Sequence, residues 1–473
     1  RNSFRFNANY HITDSWTIGT SNQLTFEDFG DEGDVSTGEA LRTSPLGSPY
    51  NDDGTSTNFP VPEDIFFPNP LDALDVRDAR RRNRLVNNIY TEIKFPFIKG
   101  LSYRLNFGRS EERGTQNVFR STETIAGENT AGSAERNAST IVNTTTENIL
   151  TYDRRFGDHH IGFTGLYSYQ KRTQDETNVS SNAFVNDVLQ EYGIGTGDII
   201  TVNTPFQEFS LISQMGRLNY DYKSKYYMTF TVRRDGYSGF GANEKYGIFP
   251  SLALAWNLSE ENFFKDSNWL ILLKLRASYG TNGNQAIPPY GSLTQVGNST
   301  SFDYFFTSTA TGFAPTSLGN PSLTWETSTS FNIGLDYSLF NGKVSGNIEY
   351  YNSRSEDLLL RRLLNSTQGF TSTLQNIGET KNTGLEIILN VDLLNTEDFH
   401  WDIGFNFFKN DNKIVSLFDS ETDDILNGWF IGEDIDSNFN FVGDGVYGTQ
   451  AEIDASHQPN ASPGDRILRD VNI

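Results

Sequence analysis

The residue types that most often do chemistry are all here except one, and their spacing speaks against the usual reactions. Paired acids abound, for example Asp52/Asp53, Glu111/Glu112, Glu260/Glu261 and Asp423/Asp424. Hydrolysis by two carboxylates needs a set separation across a cleft, and adjacency in a chain with 60 Asp and Glu reads as solvated loop charge. The five histidines support little metal chemistry; His159 and His160 are adjacent, so they point to opposite faces of a strand or lie in a turn. No H-E-x-x-H and no complete EF-hand loop occurs. GIGTG (193–197) lacks dinucleotide-binding spacing, and GYSGFG (236–241) is neither a phosphate loop nor a nucleophile elbow. Cysteine is the missing type, which removes disulfides, thiolate zinc sites, iron–sulfur clusters and thiol nucleophiles. The chain is therefore expected not to be an enzyme.

Three constellations remain. Aromatics sit among polar residues at Phe66/Phe67, Tyr304, Phe305 and Phe306, Trp429 and Phe430, Phe439 and Phe441, and Tyr447. Sugars bind by stacking a C–H face on such rings while Asn, Asp and Gln bond the hydroxyls, and peptides use similar surfaces; self-packing of the loops accounts for the same rings. Tyr304 to Phe306 and the aromatics of 428–448 are the ligand-binding candidates. Asp465, Asp470 and Asn472 offer the oxygen ligands calcium takes, in a loop cut before its remaining ligands. A solvated turn explains them equally, and no other cofactor is expected. Arg80, Arg81 and Arg82, with Arg77 and Arg84, form a basic cluster just before a strand expected to start near Leu85. It reads either as a contact for lipid phosphates or as the solvated end of a loop helix.

The elements that must position these residues are strands. Strict alternation recurs along the chain, as in Phe4/Phe6/Ala8/Tyr10, Leu101/Tyr103/Leu105/Phe107, Ile161/Phe163/Tyr167/Tyr169 and Tyr226/Met228/Phe230/Val232. It continues in Leu252/Leu254/Trp256, Leu273/Leu275/Ala277/Tyr279, Phe331/Ile333/Leu335/Tyr337, Leu385/Ile387/Leu389/Val391 and Trp401/Ile403/Phe405/Phe407. Between these lie polar residues such as Lys274, Arg276 and Ser278. A soluble sandwich gives the same alternation, so the connections must decide. They alternate between tight turns (Thr13/Asp14, Lys99/Gly100, 157–159, 223–225, Asn341/Gly342, 394–398) and long polar segments (28–84, 111–140, 173–207, 281–325, 353–379 and 410 onward). Tight turns at one rim and long loops at the other are the plan of an outer-membrane barrel. The expectation is all-β: a transmembrane antiparallel β-barrel with roughly fourteen strands in this chain, short periplasmic turns and long extracellular loops.

Composition agrees. Only 36% of residues are hydrophobic while 13% are aromatic, which suits alternating strands with polar loops and speaks against disorder. A formal charge of −23 argues against a nucleic-acid partner. No apolar run is long enough for a transmembrane helix. Arg1 leads straight into an alternating segment, so no signal peptide is read; either it was removed or the chain begins mid-protein.

Several stretches carry a family resemblance: RRDG (233–236), YGIFPS (246–251), LRASYGTNGNQ (275–285), NIG (376–378) with KNTGLE (381–386), and PGDRILRDVN (463–472). In that order they resemble the barrel of SusC/RagA-type TonB-dependent outer-membrane transporters of Gram-negative cells, over most of the chain and most closely from 216 to 390. The resemblance implies a 22-stranded barrel around an N-terminal plug. Residues 1–473 then form a partial barrel domain, with the plug and both barrel ends missing. It also implies import of oligosaccharides or peptides with a SusD-like surface lipoprotein, energised by the TonB complex through the missing plug. The wall would sit among outer-membrane lipid and lipopolysaccharide. The rival readings are a passive β-barrel channel and, further off, a surface β adhesin or glycan-binding protein.

Overall fold

The computed structural model describes residues 1–62, 64–264, 267–298, 304–305, 309–310, 312–365, 367, 369–418 and 422–469. One antiparallel sheet dominates. Its strands follow one another in chain order: β1 (Asn2–Thr13), β2 (Trp16–Asp28), β3 (Arg77–Lys94), β4 (Leu101–Arg120), β5 (Ser133–Phe156), β6 (His159–Asn182) and β7 (Phe206–Tyr222). Then come β8 (Tyr226–Tyr237), β9 (Tyr246–Asn257), β10 (Leu270–Asn284), β11 (Glu326–Leu339), β12 (Val344–Glu356), β13 (Glu379–Asn395) and β14 (His400–Ser416). A short strand, Ile199–Asn203, prolongs β7 along β6. The expected fourteen strands are the fourteen of this path, and β1 and β14 are its edges.

The register turns alternation into two continuous faces. Phe4 opposes Leu24 and Leu24 opposes Leu85; Phe230 opposes both Leu218 and Leu252; Leu335 opposes Leu275 and Ile348. The apolar set of each strand thus meets the apolar set of the next, and a slip of one residue would exchange the faces. On this face Phe230 is 44% exposed, Leu254 50% and Tyr279 57%. An apolar surface of this extent needs a non-aqueous neighbour.

The opposite face is polar and concave. Residues from six consecutive strands, β5 to β10, line a single cavity of 580 Å³. Six strands laid flat would span roughly 24 Å, so the sheet must curl around its polar side. No described helix is long and apolar enough to cross a membrane, which says nothing of crossing by strands.

At the short-turn rim, Glu261 follows β9 and accepts hydrogen bonds from Tyr226 Oη (2.5 Å), Lys225 Nζ (3.0 Å) and Trp256 Nε1 (3.1 Å). These donors, the tyrosine hydroxyl foremost, hold its carboxyl down at about 2. Tyr226 and Trp256 stack at 6.2 Å. One carboxylate therefore ties together the aromatic ends of two strands.

The long-loop rim departs from expectation. β5 and β6 have 24 residues each and β4 has 20, whereas β8 and β9 have 12. Stretches read as loop, 111–120, 133–140 and 173–182, are strand. Both faces are mostly polar there, with Val118, Phe119 and Val179 as isolated exceptions, so the backbone ladder continues without a run of apolar alternation to announce it. The arginine cluster is corrected for the same reason: Arg77 to Arg84 lie inside β3, not before it. Arg82 meets Glu27 (2.7 Å) and Glu112 (3.9 Å), while Arg77 meets buried Glu191 (3.2 Å). Alternation sends Arg80, Arg82 and Arg84 to the concave side and Arg77 and Arg81 to the convex side.

Above β8 and β9 the rim is closed by a hydrophobic knot of Tyr237, Phe240, Phe249, Ile287, Leu323 and Trp325. Phe240 packs against Tyr237 and Trp325, each at 5.3 Å. The polar tips are satisfied: Trp325 Nε1 donates to the Lys245 carbonyl (3.1 Å) and Tyr237 Oη to the Ile287 carbonyl (3.2 Å). Burial of each large side chain contributes roughly 1.5–3 kcal/mol, so this knot fixes two loops, 238–245 and 285–325, to the wall.

Candidate binding trough and outer loops

The concave face carries a trough built from the polar half of each strand's alternation. A cavity of 450 Å³ lies against β3 to β5 and shares Thr145 and Glu147 with the 580 Å³ cavity across β5 to β10. In the first, the Arg104 guanidinium lies 3.9 Å from the Tyr90 ring centroid and pairs with Glu92 at 3.6 Å. Arg104 Nε donates to Asn106 (2.7 Å), whose amide donates to Glu147 Oε2 (3.1 Å). In the second, hydroxyls of Ser168, Ser213, Thr231 and Ser251 line the wall, with Phe249 and Trp325 at the knot end. Arg233 pairs with Asp235 (2.7 Å) and donates to Ser213 (3.0 Å). Arg217 Nε donates to Thr231 (3.2 Å).

Farther round, Arg276 pairs with Asp336 (3.3 Å) and Glu349 (2.5 Å), and Ser328/Ser355 and Ser330/Ser353 form hydroxyl pairs at 2.7 and 2.8 Å. Such a wall offers donors and acceptors at intervals set by the ladder. It suits a polar solute and places no nucleophile beside a base.

The aromatic candidates divide between two loops separated in the sheet by β11 to β13. Tyr304 and Phe305 pair with Ala310 and Thr309 at a hairpin tip, 59% and 80% exposed. Phe306 lies outside the described residues. Beyond β14, half-buried Phe430 packs on Phe439 (5.0 Å), Phe441 is 81% exposed, and half-buried Trp429 exchanges backbone hydrogen bonds with Asp424. Tyr447 is buried and donates to Gln458 Oε1 (3.1 Å), so its ring serves the packing of its own loop.

Asp465 Oδ2 accepts from the Ser462 backbone N–H (2.8 Å), a turn contact. Asp470 and Asn472 lie outside the described residues, and among those described no three His, Asp or Glu side chains gather as a metal site. The two histidines do face opposite ways. His159 Nδ1 meets Tyr220 Oη (2.8 Å), and His160 bridges Asp221 (2.7 Å) and Asp153 (3.1 Å).

The trough residues were not among the sequence candidates. Their signal was available, since they occupy the polar positions between apolar ones; which distant strands share a cavity was not.

Known proteins place this architecture. Residues 23–450 match the family model described as TonB dependent receptor-like, beta-barrel. TonB-dependent receptor P3 of Formosa agariphila is 36% identical over 447 residues, covering 92% of this chain and 44% of that protein. TonB-dependent receptor SusC of Bacteroides thetaiotaomicron is 32% identical over 363 residues, covering 75% of this chain and 35% of that protein. The chain thus spans less than half the length of these curated relatives. Among solved structures, the RagAB peptide transporter superposes with a TM-score of 0.80 at 24% identity, over 94% of this chain and 51% of that one, a likeness of fold. The chain belongs to the TonB-dependent receptor β-barrel family, as a SusC/RagA-like member.

Proposed function

We propose that this chain forms the wall and outer loops of a TonB-dependent importer in the outer membrane, carrying oligosaccharides or peptides with a SusD-like surface lipoprotein. The two-faced wall carries the reading: an apolar convex face suited to lipid and a polar concave trough suited to a hydrophilic solute. In a bilayer every backbone N–H and C=O must be paired within the protein. The edges that β1 and β14 leave unpaired among the described residues therefore support further wall strands beyond residues 1–473. At the upper border of the convex apolar band Arg109 and Arg113 flank Glu111 (3.0 and 2.8 Å), and Lys171 and Arg234 follow. They suit lipid and lipopolysaccharide phosphates. Binding and passage, not bond making, are the chemistry this wall supports.

The test is uptake by cells carrying the full-length gene, with and without a functional TonB system. Accumulation of a labelled oligosaccharide or peptide should fall to the level of cells lacking the gene when TonB is deleted. Uptake that persists unchanged would favour the passive channel.

A further inference from the structure

We infer that a membrane-facing groove at Gly165 and Gly216 holds one molecule of lipid A, its acyl chains over the two glycines and a phosphate on Arg234. This deepens the reading of a wall seated in the outer membrane and rests on it. On the convex face a groove of 520 Å³ runs from β4 to β8. Both neighbours of each of these strands belong to this chain, and the convex face turns away from the lumen, so neither a plug nor further wall strands cover it. Its floor is the opposed pair Gly165 and Gly216, with Leu150 beyond one and Val232 beyond the other. Glycine inside a strand weakens it and marks a bulge, a bend or a close approach by another molecule. The pairing here runs without a bulge. A Cβ on Gly216 would meet nothing within 4 Å, and one on Gly165 only the Phe163 ring, at 3.5 Å. No packing within this chain requires either glycine, and their effect is to leave the groove open.

The next rank of the ladder toward the long-loop rim is Asn148, Tyr167, Gln214 and Arg234. Tyr103 Oη donates to Asn148 Oδ1 (2.7 Å) and Arg234 Nη1 to Gln214 Oε1 (3.2 Å). Both carboxamide oxygens are thereby taken, while neither NH₂ group has an acceptor among the described residues. The Arg234 guanidinium lies 3.8 Å from the Tyr246 ring centroid. The other cations of this border have carboxylates: Arg109 and Arg113 share Glu111, and Lys171 pairs with Glu208 at 2.8 Å. Arg234 has none within 4.0 Å among the described residues. Polar groups facing hydrocarbon are costly without partners. A phosphate satisfies the guanidinium by charge-assisted hydrogen bonds, and the carbonyls that join acyl chains to a headgroup satisfy the two amides. Donors toward the loops and a bare apolar floor below them match a lipid of the outer leaflet, where the phosphorylated lipid is lipid A. Lipid tails are as apolar as the wall, so the floor gives shape but little preference. The phosphate on Arg234 sets the preference.

The probes are hexa-acyl lipid A with two phosphates, the same lipid stripped of phosphate, and dioleoyl phosphatidylglycerol. Each is titrated against the full-length protein in detergent and read by native mass spectrometry. One lipid A should be retained, roughly tenfold more tightly than the stripped form and more tightly than phosphatidylglycerol. Arg234→Gln should erase the preference for phosphate and leave binding of the stripped lipid unchanged. Gly216→Leu, whose side chain has room on the open face, should weaken both forms of lipid A while the folded band on a heat-modifiability gel persists. Wild-type protein that binds the stripped lipid or phosphatidylglycerol as tightly as lipid A would overturn the inference. So would Gly216→Leu that retains lipid A undiminished, including a variant that changes only from dimer to monomer, which would give the groove to a second copy. Either failure in a protein whose uptake still depends on TonB overturns the groove alone and upholds the wall. A full-length protein that stays dissolved without detergent and retains none of the three lipids overturns the membrane reading, and the groove with it.

Discussion

β4 runs through two environments that follow different rules. From Leu101 to Phe107 every second side chain is Leu, Tyr or Phe on the convex side, facing Ser102, Arg104 and Asn106 on the concave side. From Arg109 to Arg120 both sides are charged or polar until Val118 and Phe119 near its end. Yet pairing with β3 and β5 continues unbroken through both regions. Hydrogen bonding alone sustains a strand; amphipathic alternation is imposed by an asymmetric solvent. Where lipid lies on one side, sequence must alternate, and where water lies on both it need not.

That contrast governs what was legible. The strand count and the facing of residues such as Phe230 and Thr231 followed from alternation. The upper halves of β4, β5 and β6 did not, because Thr, Asn, Glu and Arg on both faces read as loop. Arg77 to Arg84 misled for the same reason, being strand residues paired with Glu27 and Glu112. In the trough, parity identified the concave side of each strand, but Glu147 and Arg217 share a cavity only because the sheet curls. Tyr447 is an aromatic in a polar loop that turned out to fill its own small core.

The comparison can be broken in graded steps. The largest effect is expected at the knot that caps the low strands: Phe240→Ala should cost about 3–5 kcal/mol locally. Its reading is faster proteolysis of 238–245 and 285–325 with the wall intact; an unchanged cleavage rate would mean the knot does not hold the loops. Next, Leu252→Arg places a charge on the convex face within the apolar band, and should cost about 2–4 kcal/mol near the bilayer midplane in a refolding titration. A smaller effect is expected at the short-turn rim. Glu261 has its carboxyl depressed to about 2, so its stabilising contribution is complete above its ordinary value of 4.5 and is lost as pH falls through 2. Fluorescence of Trp256, whose indole donates to Glu261, should change over that interval and stay flat in Glu261→Gln. The smallest is the control: Thr177→Arg, also on the convex side but high on β6, should shift stability by less than about 0.5 kcal/mol. A penalty there equal to that of Leu252→Arg would erase the distinction between band and extension.

The most direct measurement is a nitroxide scan along β4. The chain contains no cysteine, so single substitutions from Leu101→Cys to Arg120→Cys can each be labelled in the full-length protein reconstituted in lipid bilayers. Accessibility to oxygen and to a water-soluble nickel chelate should alternate residue by residue from 101 to 107, with lipid contact at Leu101, Tyr103, Leu105 and Phe107. From 109 onward the lipid phase should vanish and water contact appear on both faces, save where Val118 and Phe119 are buried. Water accessibility at Leu105 and Phe107 equal to that at Arg104 and Asn106 would contradict a wall with one face in the membrane.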